Sequence, residues 1–121
     1  MFLTRLKAES APRGRWKLIA PLDYLADQCF IRVPVGFETD LASIPKGLRW
    51  IISQNEEHRE AAVLHDYLYS VGGKFDWFSF TRKEADEIFL AAMNYSGVSW
   101  LKRSLMFSAV RSFGWYFWSE L

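Results

Sequence analysis

The pair His65-Asp66 is the centre of any chemistry that this chain can do. Histidine occurs only twice, at positions 58 and 65. A half-buried imidazole is neutral near pH 7 and can act as a general base or as a metal ligand. On a helix, the side chain of Asp66 lies about 100° round the axis from that of His65, so we predict that the two flank one groove. The alternative is a core histidine with satisfied hydrogen bonds, next to an Asp66 that is exposed or paired.

Two further carboxylates lie in places where a charge needs a partner. Asp40 lies in the mostly apolar stretch 36–45, and Asp86 lies four residues after Arg82. Since an unpaired charge among apolar residues is costly, we predict that Asp40 and Asp86 come together with His65. The alternatives are that Asp40 caps a short helical turn before Lys46 and that Asp86 forms an i,i+4 ion pair with Arg82.

The resulting site is a candidate for activating water, with or without a divalent cation. Carboxylate oxygens suit a hard cation such as calcium or magnesium, and Asp66 and Asp40 are its candidate ligands. We assign candidate catalytic roles to His65, Asp66 and Asp86, and supporting roles to Asp40, Thr39, Tyr69 and Arg82. The other histidine, His58, has charged neighbours at 56, 57, 59 and 60, which predict that it is exposed.

Short strands precede the helices that would carry these residues. Runs rich in branched and aromatic residues lie at 15–19, 22–25 and 29–33 and are bounded by Gly14, Pro21 and Pro34, which is typical of strands. Helical spacing predicts a helix over 56–71 with Ala61, Leu64, His65, Leu68 and Tyr69 on one face, ended by Gly72-Gly73. Strands followed by helices predict an α+β fold: a small N-terminal antiparallel β-sheet and then three or four helices.

Two more helices are predicted towards the C-terminus. A capping box of Thr81 and Glu84 begins the first of them, which Ser96-Gly97 ends. Its inward residues are predicted to be Ala85, Ile88, Phe89, Ala92 and Met93. The last helix is predicted over about 99–118, and helical spacing places Leu101, Leu105, Ser108, Ser112 and Trp115 on one side of it.

Composition restricts the class of protein. The chain has 121 residues, of which 50% are hydrophobic, and a net charge of +1. This length predicts one domain over residues 1–121, with a β-rich part over about 1–45 and a helical part over 46–121. The chain lacks the basic excess of nucleic-acid binders, so we expect no nucleic-acid partner. No stretch reaches the roughly 20 apolar residues of a spanning helix, so a soluble protein without a transmembrane segment is expected.

Other well-known kinds of site are missing from the sequence. Cys29 is the only cysteine, which excludes an intrachain disulfide, and its apolar neighbours predict that it is buried. Phosphate-binding glycine loops, His-Glu-x-x-His and Gly-x-Ser-x-Gly are all absent. The His65-Asp66 pair therefore has no rival in the sequence as a centre of catalysis.

Four motifs in this order resemble a family found in phages and prophages. They are VPVGFETDLASIP at 33–45, AVLHDYLY at 62–69, RKEADEIF at 82–89 and AVRSFG at 109–114. The family is the domain of unknown function number 1353, and the resemblance covers residues from about 30 to 118. It implies a phage origin, with the protein in the cytoplasm of the infected bacterial host or associated with the virion. It implies no established activity.

The order His-Asp-x-x-Tyr on one helix and Asp on a later helix is also similar to secreted and prokaryotic phospholipases A2. Carried over by this resemblance, His65 would activate water, Asp66 would bind calcium, Asp86 would orient His65, and Tyr69 would support the site. The chain departs from those enzymes because it lacks their disulfides and their glycine-rich calcium loop. The segment 39–41 would have to replace that loop.

Three functions therefore compete. The first is a small phage-encoded hydrolase that activates water with His65. The others are a non-catalytic phage accessory or virion protein, and an inhibitor of a host protein. A hydrolase requires polar groups that converge in a cleft, whereas the alternatives require paired polar groups and an exposed apolar patch.

Two further expectations concern the C-terminal aromatic residues and the role of His65. The consecutive aromatic residues Trp115, Tyr116, Phe117 and Trp118 cannot all face one core, so they are predicted to contribute a contact surface for a protein partner. If His65 is a catalytic base, His65→Ala should lower activity by about a hundredfold or more while changing the melting temperature by only a few degrees.

Overall fold

The computed structural model describes residues 1–27, 29–40, 44–50, 56–76 and 78–119, and of residues 56 and 57 it describes the backbone alone. Strands come first and helices follow, which confirms the predicted α+β fold. The strands are β1 (Ala8–Ala11), β2 (Arg15–Leu18), β3 (Leu22–Ala26), β4 (Cys29–Val33) and β5 (Glu38–Thr39). The α-helices are α1 (Glu56–Ser70), α2 (Arg82–Tyr95) and α3 (Trp100–Phe113).

The strands form two small antiparallel sheets instead of the one that was predicted. One has the order β1-β2-β5, and the other is the hairpin of β3 and β4. The predicted strands correspond to β2, β3 and β4 with ends that agree to about one residue, whereas β1 and β5 were not predicted. In the first sheet Trp16 of β2 is paired with Thr39 of β5. Since β5 also contacts α1, this pairing fixes Thr39 against the helix that carries His65.

Helix α1 buries the face that its spacing predicted. Ala61, Leu64, His65, Leu68 and Tyr69 are all 1% exposed or less, so the prediction for this face is confirmed.

The C-terminal end of α1 requires glycine. Gly72 and Gly73 have φ values of 61° and 68°, a left-handed conformation that glycine adopts without strain. The amide of Gly73 donates to the carbonyl of Leu68 at 2.9 Å. A Cβ at Gly73 would lie 2.1 Å from the carbonyl oxygen of Phe80. The backbone of Phe80 can therefore pack this closely against residue 73 only because that residue is glycine.

Helix α2 begins with the predicted capping box. The hydroxyl of Thr81 accepts from the amide of Glu84 at 3.1 Å, and the Glu84 carboxylate accepts from the amide of Thr81 at 3.0 Å. Four of the five residues predicted to face inward are buried, and Ile88 is half-buried.

Helix α3 is shorter than predicted. Ser99 caps its N-terminus, and it ends at Phe113, where Gly114–Tyr116 forms a 3-10 turn instead of another α-helical turn. A close contact explains the change, because a Cβ at Gly114 would lie 2.6 Å from the hydroxyl oxygen of Tyr69.

One hydrophobic cluster joins the strands to the helices. Its largest fully buried side chains are those of Tyr24, Tyr69, Phe89, Leu18, Leu22, Ile31, Ile44, Leu64, Leu68, Met93 and Met106. Cys29 is half-buried, so it is less enclosed than predicted. Within the described ranges, no helix has both the length and the apolar character needed to span a bilayer.

Candidate functional site

Helices α1 and α2 bring His65 and Asp86 into direct contact. His65 Nε2 lies 2.7 Å from Asp86 Oδ1, and both side chains are 0% exposed. Burial lowers the pKa of His65 below its ordinary value, although the hydrogen bond to Asp86 opposes this shift. The imidazole is therefore neutral at pH 7. A neutral ring that donates through Nε2–H to Asp86 has its basic lone pair on Nδ1.

Asp86 is held as an anion by further donors. The hydroxyl of Tyr69 donates to Oδ1 at 2.6 Å, and Nη1 of Arg111 donates to Oδ2 at 2.8 Å. Nη1 of Arg82 also lies 3.6 Å from Oδ2. Burial alone would raise the pKa of Asp86, but the hydrogen bonds from His65, Tyr69 and Arg111 hold this pKa below its ordinary value.

Arg82 connects this carboxylate to the end of α3. Its Nη1 donates to the carbonyl of Val110 at 3.0 Å and to the hydroxyl of Tyr69 at 3.3 Å, and its Nη2 donates to the carbonyl of Arg111 at 3.2 Å. Burial, and then the Asp86 carboxylate, raise the pKa of Tyr69. The phenol therefore stays protonated and remains a donor. We call His65, Tyr69, Arg82, Asp86 and Arg111 the dyad network.

Aromatic rings enclose the dyad network. The His65 ring centroid lies 4.2 Å from that of Tyr69 and 4.5 Å from that of Phe89. Tyr69 also meets the edge of Trp118 at 5.1 Å, and its carbonyl accepts from the amide of Ser119 at 3.1 Å. The C-terminal segment therefore covers the Tyr69 side of the network.

Asp66 lies in a second polar group, which β5 positions. The hydroxyl of Thr39 donates to Asp66 Oδ2. Burial, together with the negative charge of Asp40, raises the pKa of Asp66 to about 6, although the Thr39 hydrogen bond and Arg49 oppose the shift. Thr39 is buried, Asp66 is half-buried and Asp40 is exposed. We call Thr39, Asp40 and Asp66 the carboxylate pair group.

The predicted site residues therefore form two groups. His65 and Asp86 meet as predicted, whereas the negative charge of Asp40 acts on Asp66 and raises its pKa. The helix directs His65 and Asp66 to different neighbours, because their side chains lie about 100° apart round its axis. The predicted i,i+4 pair of Arg82 with Asp86 is present together with the His65 contact. The short turn before Lys46 that Asp40 was expected to cap falls largely on residues 41–43, which lie outside the described residues.

A family model matches residues 16–110 of the chain. The chain belongs to DUF1353, a family described as protein of unknown function. The matched segment includes every residue of the carboxylate pair group and all of the dyad network except Arg111. No match was found among curated proteins or among solved structures.

The prediction for His58 is wrong. His58 was expected to be exposed because its neighbours are charged, but it is 1% exposed. Its position relative to Ala61 and His65, at i+3 and i+7, places it on the buried face of α1. This spacing indicates a buried side chain, whereas the charged neighbours had predicted an exposed one.

Arg111 is the residue of the dyad network that sequence reasoning missed. In the sequence it appeared only within the motif AVRSFG, yet it makes the shorter of the two guanidinium contacts to Asp86. A single cation in an otherwise apolar run is a signal for a buried carboxylate partner, because such a charge is costly when unpaired.

The carboxylate pair group has the donor atoms that a hard cation prefers. Two carboxylates and one hydroxyl supply oxygen ligands of the kind that calcium and magnesium bind. The upward pKa shift of Asp66 reflects burial and like charge, both of which a divalent cation would relieve. Among the described residues, no group of three or more His, Cys, Asp or Glu side chains is arranged to hold a metal ion. Any cation here would therefore need backbone or water oxygens as well.

Proposed function

We propose that this DUF1353 protein is a hydrolase in which His65 acts as the general base on a water molecule. The observation that carries the proposal is the fully buried contact of 2.7 Å between His65 Nε2 and Asp86 Oδ1. A carboxylate that accepts from one nitrogen of an imidazole fixes its tautomer and favours proton uptake at the other nitrogen. Proton transfer of this kind contributes about a hundredfold to ten-thousandfold to a reaction rate.

The partners of Asp86 support a positioning role for that carboxylate. Asp86 remains an anion because Arg111 and Tyr69 donate to it, and an anion stabilises the imidazolium that forms when Nδ1 takes a proton from water. The resemblance to phospholipases A2 implied that Asp86 orients His65 and that Tyr69 supports the site. The contacts of both residues agree with those roles, so a carboxylic ester is the substrate class to test first.

Asp66 would serve the same reaction from the neighbouring position. Its carboxylate and that of Asp40 are the groups of this chain that would hold a calcium or magnesium ion. When bound, such an ion would supply positive charge for an oxyanion that develops on the substrate. Thr39 fixes the orientation of the Asp66 carboxylate by its hydrogen bond.

The test is the substitution His65→Gln. Glutamine can still donate an N–H to Asp86 but has no basic nitrogen, so the chemistry is removed while the hydrogen bond is kept. The assay is release of carboxylic acid from p-nitrophenyl esters of short and long chain and from phospholipid vesicles, with calcium or magnesium present. We expect the rate to fall by about a hundredfold or more and the melting temperature to change by only a few degrees.

His58→Gln is the matched control, because His58 lies on the same helix and is equally buried. After correction for the fraction of folded protein, His58→Gln should hydrolyse the esters at the rate of the wild type. The proposal fails if the wild-type protein releases no acid from any of these esters, or if both variants lose the same fraction of activity.

A non-catalytic role is the second candidate, and two observations favour it. The carboxylate of Asp86 accepts hydrogen bonds from His65, Tyr69 and Arg111, so its polar groups are paired within the fold, and large apolar side chains are exposed on α3. In that case the dyad network only stabilises the fold, and the protein is a phage accessory or virion protein or an inhibitor of a host protein. His65→Gln would then leave the biological activity of the protein unchanged wherever it left the stability unchanged.

A further inference from the structure

Helix α3 and the turn that follows it expose a large apolar surface. The side chains of this surface, which we call the α3 outer face, are Trp100, Leu101, Leu105, Trp115, Tyr116 and Phe117. Each of them is between 42% and 73% exposed. A monomeric protein seldom exposes so many large apolar residues on one element without a use for them.

The α3 outer face is not a badly packed core face. The opposite side of the helix is packed, with Met106 and Val110 at 1% exposure or less. The exposed Leu101 and Leu105 continue at helical spacing through Ser108 and Ser112, so they form one side of a regular helix. The apolar side therefore faces outward although α3 already has a buried side.

The charged residues of α3 and of the turn that follows it are all positive. Between residues 97 and 119 the sequence contains Lys102, Arg103 and Arg111 and no Asp or Glu. Arg111 is engaged by Asp86, while Lys102 is exposed beside Leu101. The acidic groups Asp27, Glu84 and Glu87 line a cleft of about 310 Å³ between β3 and α2, on elements other than α3. This distribution of charge is complementary to an anionic partner.

The residue types of the face are those of a membrane interface. Trp and Tyr rings are amphipathic and prefer the level of the lipid headgroups, and lysine near them can reach phosphate. The described helices are too short or too polar to span a bilayer, but an amphipathic helix with cations at its edge can lie in the plane of the interface.

We infer that the α3 outer face binds to the surface of a membrane that contains anionic lipids. Leu101, Leu105 and the rings of Trp115 and Tyr116 enter the interface, and Lys102 lies at the headgroups. The inference does not depend on the hydrolase proposal. It places the Tyr69 side of the dyad network near the lipid surface, because Trp118 and Gly114 join the face to Tyr69.

Vesicle sedimentation with the full chain tests this inference. The probes are vesicles of phosphatidylcholine alone and of phosphatidylcholine with an equal amount of phosphatidylglycerol, at low salt and at 0.5 M salt. We expect binding to the anionic vesicles, and weaker binding to the neutral vesicles and at high salt. The double variant Leu101→Ser, Trp115→Ser should bind anionic vesicles about tenfold or more weakly, because two anchoring side chains are lost.

Ile19→Ser, Val35→Ser is the matched control, since both residues are more than half exposed and lie outside α3. This control and His65→Gln should bind vesicles as the wild type does, so failure of the hydrolase proposal and failure of this inference give different results. The inference is overturned if the wild type does not sediment with anionic vesicles, or binds neutral vesicles equally well. It is also overturned if the α3 double variant binds anionic vesicles as tightly as the wild type does. A further contradicting result is a wild-type protein that binds no vesicles and forms a dimer by light scattering, if only the α3 double variant abolishes that dimer.

Discussion

Asp86 and Asp66 are two enclosed carboxylates whose surroundings provide very different charge. Asp86 is 0% exposed and accepts from His65, Tyr69 and Arg111, and its pKa is lowered. Asp66 accepts from the hydroxyl of Thr39 and has Asp40 as a neighbour, and burial raises its pKa to about 6. The free-energy cost of burying a carboxylate is thus offset at Asp86, where a guanidinium donates to it. It is not offset at Asp66, where the donor is a hydroxyl. Asp86 is suited to orient a histidine, whereas Asp66 is suited to accept a proton or a cation.

The largest effect is expected from removing the charge of Asp86. Asp86→Asn leaves Arg111 and Arg82 without their counter-charge, and breaking a buried ion pair on one side costs about 3–5 kcal/mol of unfolding free energy. Urea unfolding at pH 7, followed by circular dichroism, measures this loss. Tyr69→Phe is the comparison, because it removes one donor and should cost about 1 kcal/mol. If Asp86→Asn and Tyr69→Phe had the same free energy of unfolding, losing the charge of Asp86 would cost no more than losing one hydrogen bond. Its charge would then not be what distinguishes Asp86 from Asp66.

The pH dependence of stability should distinguish Asp66 next. Its pKa is about 6 in the folded protein, above the ordinary value of 3.8. Its contribution to stability is therefore full below about pH 4 and is lost as the pH rises through 6. Asp66→Asn cannot ionise, so its stability relative to the wild type should increase by about 2–3 kcal/mol between pH 4 and pH 7. Parallel stability curves for the two proteins over this range would show that Asp66 is not destabilised by burial.

A smaller effect is expected from divalent cations. A ligand that binds only the folded protein stabilises it by about 1.4 kcal/mol at ten times its dissociation constant, so millimolar calcium or magnesium should raise the melting temperature of the wild type by a few degrees. Asp66→Asn should remove this increase. Glu87→Gln, which removes one exposed carboxylate from α2, should keep it. An increase that both variants lose equally, or that the wild type does not show, would contradict a cation site at Asp66.

Local signals predicted most of the helical part of the fold. The capping box at Thr81, the glycines after α1 and the inner faces of α1 and α2 depend on residues close in sequence, and all were predicted correctly apart from the burial of His58. The strands β1 and β5 were missed because both are defined by their pairing with β2, and β5 has only two residues. The end of α3 was misplaced for a similar reason, since the close approach of Gly114 to Tyr69 joins residues 45 positions apart.

The site was predicted in part for the same physical reasons. A polar residue on an apolar helix face needs a partner, and this argument connected His65 with Asp86. It could not separate Asp40 from Asp86, because which carboxylate reaches the histidine depends on how the helices pack. Arg111 lies 25 residues after Asp86, and nothing in the spacing of the two indicates that they meet.

The guanidinium of Arg82 has a consequence for how the molecule opens. It donates to the carbonyls of Val110 and Arg111, in the last turn of α3, while it lies at the first residue of α2. These carbonyls belong to the four at a helix end that are not all satisfied within the helix. Unravelling of that turn must release Arg82 and weaken the hold on Asp86, so the end of one helix and the start of another open together. In hydrogen-exchange terms the two ends form one cooperative unit, although 28 residues of chain separate them.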